Sequence, residues 1–180
     1  MTAKPQPPFL RMMAITRFSA VNRKNAVGYN PNYQRHHLIP LQAASMTDII
    51  KPLNDDLSDS FDFDDFDRNG VLLPSDEQTA LETGRPLHRG PHPRYNELVI
   101  DRLFLIVRLS EQIAGEAKRQ EFFRFRIGLL QLALRHALLG KGLAQLRLNK
   151  RDPGPASDAF RDLDACIDTL YVATRWPPVK

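Results

Sequence analysis

Proline placement constrains this chain more than any other feature. None of its 14 prolines falls between Pro93 and Pro153. A proline is tolerated in the first turn of a helix and breaks it further in, because it lacks an N–H and its ring crowds the preceding turn. Pro91 and Pro93 therefore set a helix start near Gly90, and Asp152-Pro153-Gly154-Pro155 marks a break. Hydrophobic spacing fills the interval with two long helices. The first carries Leu98, Val99, Leu103, Ile106, Leu109 and Ile113, and ends at Gly115 or Lys118. The second runs from about Gln120 to Leu148, with Phe123, Ile127, Leu130, Leu134, Ala137 and Leu138 on one face. Ser157 opens a last helix with Phe160, Leu163, Cys166, Ile167 and Leu170, closed by Pro177-Pro178.

Ahead of Gly90 the pattern is mixed. Residues 1–30 read as an irregular N-terminal arm. Arg35-His36-His37-Leu38-Ile39-Pro40 reads as extended, because a residue before proline is pushed out of helical geometry. Residues 41–53 suit a short helix, and Asp55 to Asp67 an acidic, phenylalanine-studded loop. Val71-Leu72-Leu73 reads as a strand entered from a turn at Asn69-Gly70. Ser75 and Gln78 fit a capping box for a short helix that Gly84 stops. The expected class is α+β, mostly α. Its expected organisation is a core over 31–115 and a helical C-terminal extension over 116–180, packed on that core.

At 180 residues the chain suits one domain with appendages. Its single cysteine, Cys166, excludes an intrachain disulfide framework and a cysteine-cage zinc site. No apolar run approaches the ~20 residues of a membrane span. Met12 to Ile15 is too short for the apolar region of a secretory signal. The expectation is a protein made in the cytoplasm and, if exported, carried by a specialised secretion system that needs no signal peptide. Net charge is +4, distributed as +5 over 1–50, −8 over 51–84 and +7 over 85–180. A basic body with one acidic segment suits a polyanion binder, as well as a merely solvated arginine-rich surface. Arg102, Arg108, Arg119, Arg124, Arg126 and Arg135 are the candidates for tracking a phosphate backbone, without reading bases.

Four of the five histidines fall in two tight clusters, His36-His37 and His88/His92. His136 stands apart in a helix, where a partly buried structural place is expected. Neutral imidazole binds divalent metal and titrates near neutral pH. In an extended segment, neighbours face opposite sides, so His36 and His37 suit a division of labour between metal ligand and base. His92 and Asn96 are four apart and share a helix face. The direction of His88 depends on its loop, so either His88 or Asn96 completes a one-metal site. Imidazole does not name the metal: zinc, nickel, magnesium and manganese all stay open. Asp65-Phe66-Asp67-Arg68-Asn69-Gly70 imitates the opening of a calcium loop. Pro74, where the exiting helix should begin, and Asp76 in place of a bidentate Glu argue against it. Cys166 reads as a buried structural cysteine. Gly140-Lys141-Gly142 lies inside a helix pattern and is no phosphate loop.

Three motifs in order, His36-His37-Leu-Ile-Pro, Asn69-Gly-Val-Leu-Leu-Pro and His88-Arg-Gly-Pro-His92-Pro-Arg-Tyr95-Asn96, closely resemble the AHH nuclease family of the HNH/endonuclease VII superfamily. The resemblance spans about residues 30–105 and implies a small ββα-metal, HNH/treble-clef-like core. It implies His36 as a metal ligand and His37 as the base that activates water. His88 and His92 would lie at the helix side of the metal, with Asn96 a further ligand candidate. Asn69 would hold the hairpin, and Tyr95 and Arg35 would position structure or substrate. Arg35 stands where the family name reads alanine, bringing a large cation beside the site. The implied activity is metal-dependent hydrolysis of DNA with little sequence specificity, in an antibacterial toxin or effector with a cognate immunity protein. An RNase with the same site, and a non-enzymatic helical module keeping a relic motif, are the alternatives.

Overall fold

A computed structural model describes residues 15–55 and 61–140, together with Leu148, Pro153 and Ala165. Two antiparallel strands, β1 (Tyr33–His37) and β2 (Gly70–Pro74), pair in the register Tyr33↔Pro74 to His37↔Gly70. Between them lie a 3₁₀ turn (Leu41–Ser45), α1 (Thr47–Asp55) and the single turn α2 (Phe66–Asn69). After β2 come α3 (Glu77–Thr83), α4 (Pro93–Glu111) and α5 (Glu116–Leu138). The chain is α+β and mostly helical, with a small two-stranded sheet.

The apolar stripes of α4 and α5 meet over the sheet. Leu38, Ile39, Leu73, Leu103, Ile106, Leu130 and Leu134 are all fully buried in one cluster. Their spacing on each helix is the three-and-four repeat of a core-facing stripe. One continuous core therefore joins the segment just after β1 with β2, α1, α4 and α5.

Asn69 joins the strands from inside this core. Its side-chain oxygen accepts from Ile39 N at 2.8 Å, its amide donates to Ile39 O at 3.2 Å, and its backbone O accepts from Leu38 N at 2.8 Å. A buried amide with its partners supplied fixes where the chain leaves β1. Gly70 has a steric reason: a Cβ there would overlap the Phe66 ring.

Several local expectations shift. The stretch ending at Asp67 is not all loop, since Phe66–Asn69 form α2, capped by the Asp65 side chain accepting from Arg68 N at 3.1 Å. That cap occupies the carboxylate that would have opened a calcium loop. The cap of α3 is Asp76, not Ser75. Asp76 accepts from Thr79 N at 2.9 Å, whereas Ser75 Oγ donates to Pro31 O at 3.0 Å. Gly84 does terminate α3, at φ 62. Helix α4 begins at Pro93, with His92 as its N-cap and not inside its first turn. It ends at Glu111, before Gly115. Helix α5 stops at Leu138, well short of the expected Leu148, and Gly140 just beyond its end has φ 68. His136 is exposed in the last turn of α5, not partly buried as expected. The helix expected from Ser157, with Cys166, lies outside the described residues except for Ala165.

The described part of the arm is laced to the acidic segment. Arg17 pairs with Asp62 and Asp64, Arg17 and Asp65 form an antiparallel bridge, and Phe66 N donates to Thr16 O at 2.8 Å. The acidic side chains thus hold the arm against the strands, placing Phe18 over the end of β1.

Candidate active site

Strand alternation separates His36 from His37. His36 turns inward and is buried, in contact with the rings of His88 and His92 at centroid distances of 4.9 and 5.6 Å. His88 and His92 are 4.7 Å apart. One ring nitrogen from each of the three lies within 4.8 Å of the others. Different elements deliver them. β1 supplies His36. His88 sits in the loop after α3, folded back because its backbone N–H donates to Pro74 O at 2.7 Å, at the end of β2. His92 is held at the cap of α4, where Pro93 can open the helix.

The chain supplies partners on the outer side of two of these rings. His88 Nδ1 meets Gln34 Oε1 at 3.1 Å, and His92 Nδ1 meets Leu148 O at 3.3 Å. Acceptors there favour the Nδ1–H tautomer, which leaves Nε2 with a lone pair. His36 Nε2 and His92 Nε2 are buried without a hydrogen-bond partner. Burying a polar atom unpaired costs on the order of 1–3 kcal/mol. Two orphan nitrogens beside a third imidazole fit a divalent cation, whose ligands must be neutral imidazoles. All three rings are held neutral. Burial, then the neighbouring His88, His92 and His37, pushes His36 well below the usual imidazole range. Burial, then His92 and His37, pushes His88 down to about 4. Burial lowers His92, partly opposed by its bond to Leu148 O.

His37 faces the other way. Its ring stacks on Phe18 at 3.7 Å between centroids and 4° between planes. Phe18 in turn packs edge-on against Phe66, at 5.0 Å. Burial lowers the pKa of His37, Asp64 raises it and Arg35 lowers it, with lowering the net result. A half-buried, neutral imidazole with one face clamped is suited to accept a proton.

The remaining expected residues fall at varied distances from the chemistry. Asn69 bridges backbone segments, as described above. Tyr95 is buried, donates to Leu38 O at 2.7 Å and lies 4.9 Å from the His36 ring, so it braces β1 against α4 and is shielded from any substrate. Burial pushes its hydroxyl well above the usual phenol range. Asn96 directs its amide to Gln42 Oε1 at 3.4 Å, and the third imidazole beside His36 and His92 is His88. Arg35 is exposed and donates through its guanidinium to Phe18 O. Arg135 is not available to a phosphate backbone in the expected way, because it donates to Asp67 O at 2.7 Å and Arg68 O at 3.2 Å, closing α5 onto α2. Sequence reasoning missed Phe18, Gln34 and the Leu148 carbonyl. No spacing signal marks them, since each acts through a contact between segments distant in sequence.

Neither the curated proteins nor the solved structures contain a match to this chain. A family model does match, over residues 17–130, and is described as a nuclease family of the HNH/ENDO VII superfamily with conserved AHH. The matched span takes in Phe18, both strands, all four clustered histidines and most of α5. The chain therefore belongs to the AHH family of nucleases.

Proposed function

We propose that the protein is a metal-dependent endonuclease that hydrolyses phosphodiester bonds of DNA with little sequence specificity. The observation that carries this reading is the pair of buried, partnerless nitrogens, His36 Nε2 and His92 Nε2, gathered with His88, while His37 occupies the opposite face of the same strand. His36, His88 and His92 would hold the cation, with the Arg35 and Asn96 side chains outside that set. Its chemistry there is that of a Lewis acid, relieving charge on phosphoryl oxygens and on the leaving alkoxide.

The rest of the work falls to the chain itself. His37 takes a proton from the attacking water at a ring nitrogen, as the water oxygen bonds to phosphorus. The P–O bond to the leaving sugar oxygen breaks, and that oxygen is protonated from solvent. Such a base contributes about 10²–10⁴-fold. Phe18 keeps the His37 ring from rotating. The exposed Arg108, Arg119 and Arg124 offer contacts to phosphates, which position the nucleic-acid backbone without reading its bases. A nuclease without sequence preference endangers the cell that makes it, which supports a toxin or effector role with a neutralising immunity protein.

The test is cleavage of plasmid DNA and of RNA by the purified chain, with EDTA and with a panel of zinc, nickel, magnesium and manganese. Metal-dependent nicking of the plasmid that His37→Ala abolishes is expected. Cleavage of RNA alone would move the substrate to RNA. No cleavage of either polymer with any ion would leave a binding module with a relic site.

A further inference from the structure

A cleft of about 550 Å³ opens between the arm and β1. Arg23 and Lys24 from the arm and Arg35 from β1 line it, together with Tyr29 and Tyr33. Gln34 lines it too, and is the residue whose Oε1 meets His88 Nδ1 at 3.1 Å. No carboxylate among the described residues lines it. Three cations gathered around a hollow repel one another unless an anion enters.

The cleft is formed in advance of any ligand. Asn22, at φ 44, donates through Nδ2 to Asn30 O and Tyr33 O at 2.8 Å each, and its Oδ1 accepts from Asn30 N at 2.8 Å. This clamp ties the loop of residues 22–30 to the start of β1. A loop already fixed loses little freedom on binding. Tyr29 stays 40% exposed on that fixed loop, so its ring is open to a stacking partner.

The cleft also leads to the histidines. Along β1, Tyr33, Arg35 and His37 share one face, successive members about 6.8 Å apart by strand geometry. Anything lying along Tyr33 and Arg35 continues to His37.

We propose that this cleft binds the sugar–phosphate strand flanking the scissile bond as a single strand. Its phosphates meet Arg23, Lys24 and Arg35, and an unpaired base stacks on Tyr29. Cations with interleaved aromatic rings suit a single strand, because only an unpaired base offers its face. The inference rests on the nuclease reading and adds the form of the substrate to it.

The experiment measures binding by the full chain in EDTA, so that no cleavage intervenes. Fluorescent single-stranded DNA, RNA of the same sequence and the matching duplex are titrated at several salt concentrations. Either single strand should bind more tightly than the duplex. Arg23→Gln with Lys24→Gln should reduce the slope of log affinity against log salt by about 1.4, at about 0.7 per phosphate contact. Tyr29→Ala should weaken single-strand binding about 5- to 150-fold without changing that slope, and Tyr29→Phe should restore it. All three side chains are exposed, so unfolding curves should match the parent chain. Were Tyr29→Ala to unfold, the slope of the paired charge variant decides. Parent-like binding by the folded variants overturns the proposal, as does a duplex bound more tightly than either strand. Because binding is read apart from cleavage, the two readings fail separately. Strand binding lost in the variants, with no cleavage by any ion, keeps the cleft and removes the nuclease. Cleavage by the parent with parent-like binding in the variants does the reverse.

Discussion

His36 and His37 are adjacent and chemically alike, yet the strand gives them opposite surroundings. One is buried among imidazoles, and the other is clamped by Phe18 and half open to solvent. Their variants should therefore fail differently. His37→Ala should lower cleavage by about 10²–10⁴-fold while leaving metal affinity close to that of the parent, since a base is not a ligand. His36→Ala should lower metal affinity and activity together. Calorimetric metal titration beside plasmid nicking separates the two, and loss of the metal in His37→Ala would exchange the assignments. The buried rings also predict a pH dependence for the metal-free chain. Unfolded imidazoles titrate near ~6.5, whereas His88 is held down to about 4 and His36 and His92 are lowered as well. As pH falls from about 6.5 to about 4, the unfolded chain binds protons that the folded chain refuses, so stability falls across that window. Thermal unfolding in EDTA should show it. His88→Gln should flatten the profile, and an unchanged slope in that variant would remove the cluster as the cause.

At the scale of elements, the β2 side of the site depends on a steric relay. Gly70 leaves room for Phe66, Phe66 packs on Phe18, and Phe18 stacks on His37. Gly70→Ala should displace the Phe66 ring, cost about 1–3 kcal/mol of stability as overpacking does, and lower the cleavage rate by loosening His37. Full activity at a reduced melting temperature would show that the relay does not reach the base. Only part of this relay is legible in the sequence. The strand at Val71–Leu73, the alternation of His36 and His37 and the stop at Gly84 follow from local rules, and the structure has them. Local rules fail where a distant segment decides. Ser75 looks like a cap, but Pro31 O takes its hydroxyl and Asp76 caps instead. Apolar spacing runs on past Gly140, but a positive φ there ends α5. The arm reads as irregular, and nothing in its composition says that Phe18 lies on His37. Those contacts are set by the ion pairs of Arg17 with Asp62 and Asp64, partners far away in the sequence.

Over the whole molecule, the three imidazoles come from a strand, a loop and a helix cap that pack around one core. No part of the unfolded chain brings them together, so a cation bound by all three favours the folded state by linkage. At a free metal concentration about 100 times the dissociation constant, the gain is about 2.7 kcal/mol. Between about 2 and 4 °C per kcal/mol for a chain of 150–250 residues, the melting temperature should rise by roughly 5–11 °C. His88→Ala removes one of the three ligands and should abolish most of this rise. Gln42→Ala, which removes the acceptor of the Asn96 amide, should leave the rise in place. Differential scanning calorimetry with and without EDTA measures both. A rise retained in His88→Ala but lost in Asn96→Ala would transfer the third ligand to Asn96. A melting temperature indifferent to every ion would leave the orphan nitrogens of His36 and His92 without their proposed partner, and with them the metal-dependent reading of the site.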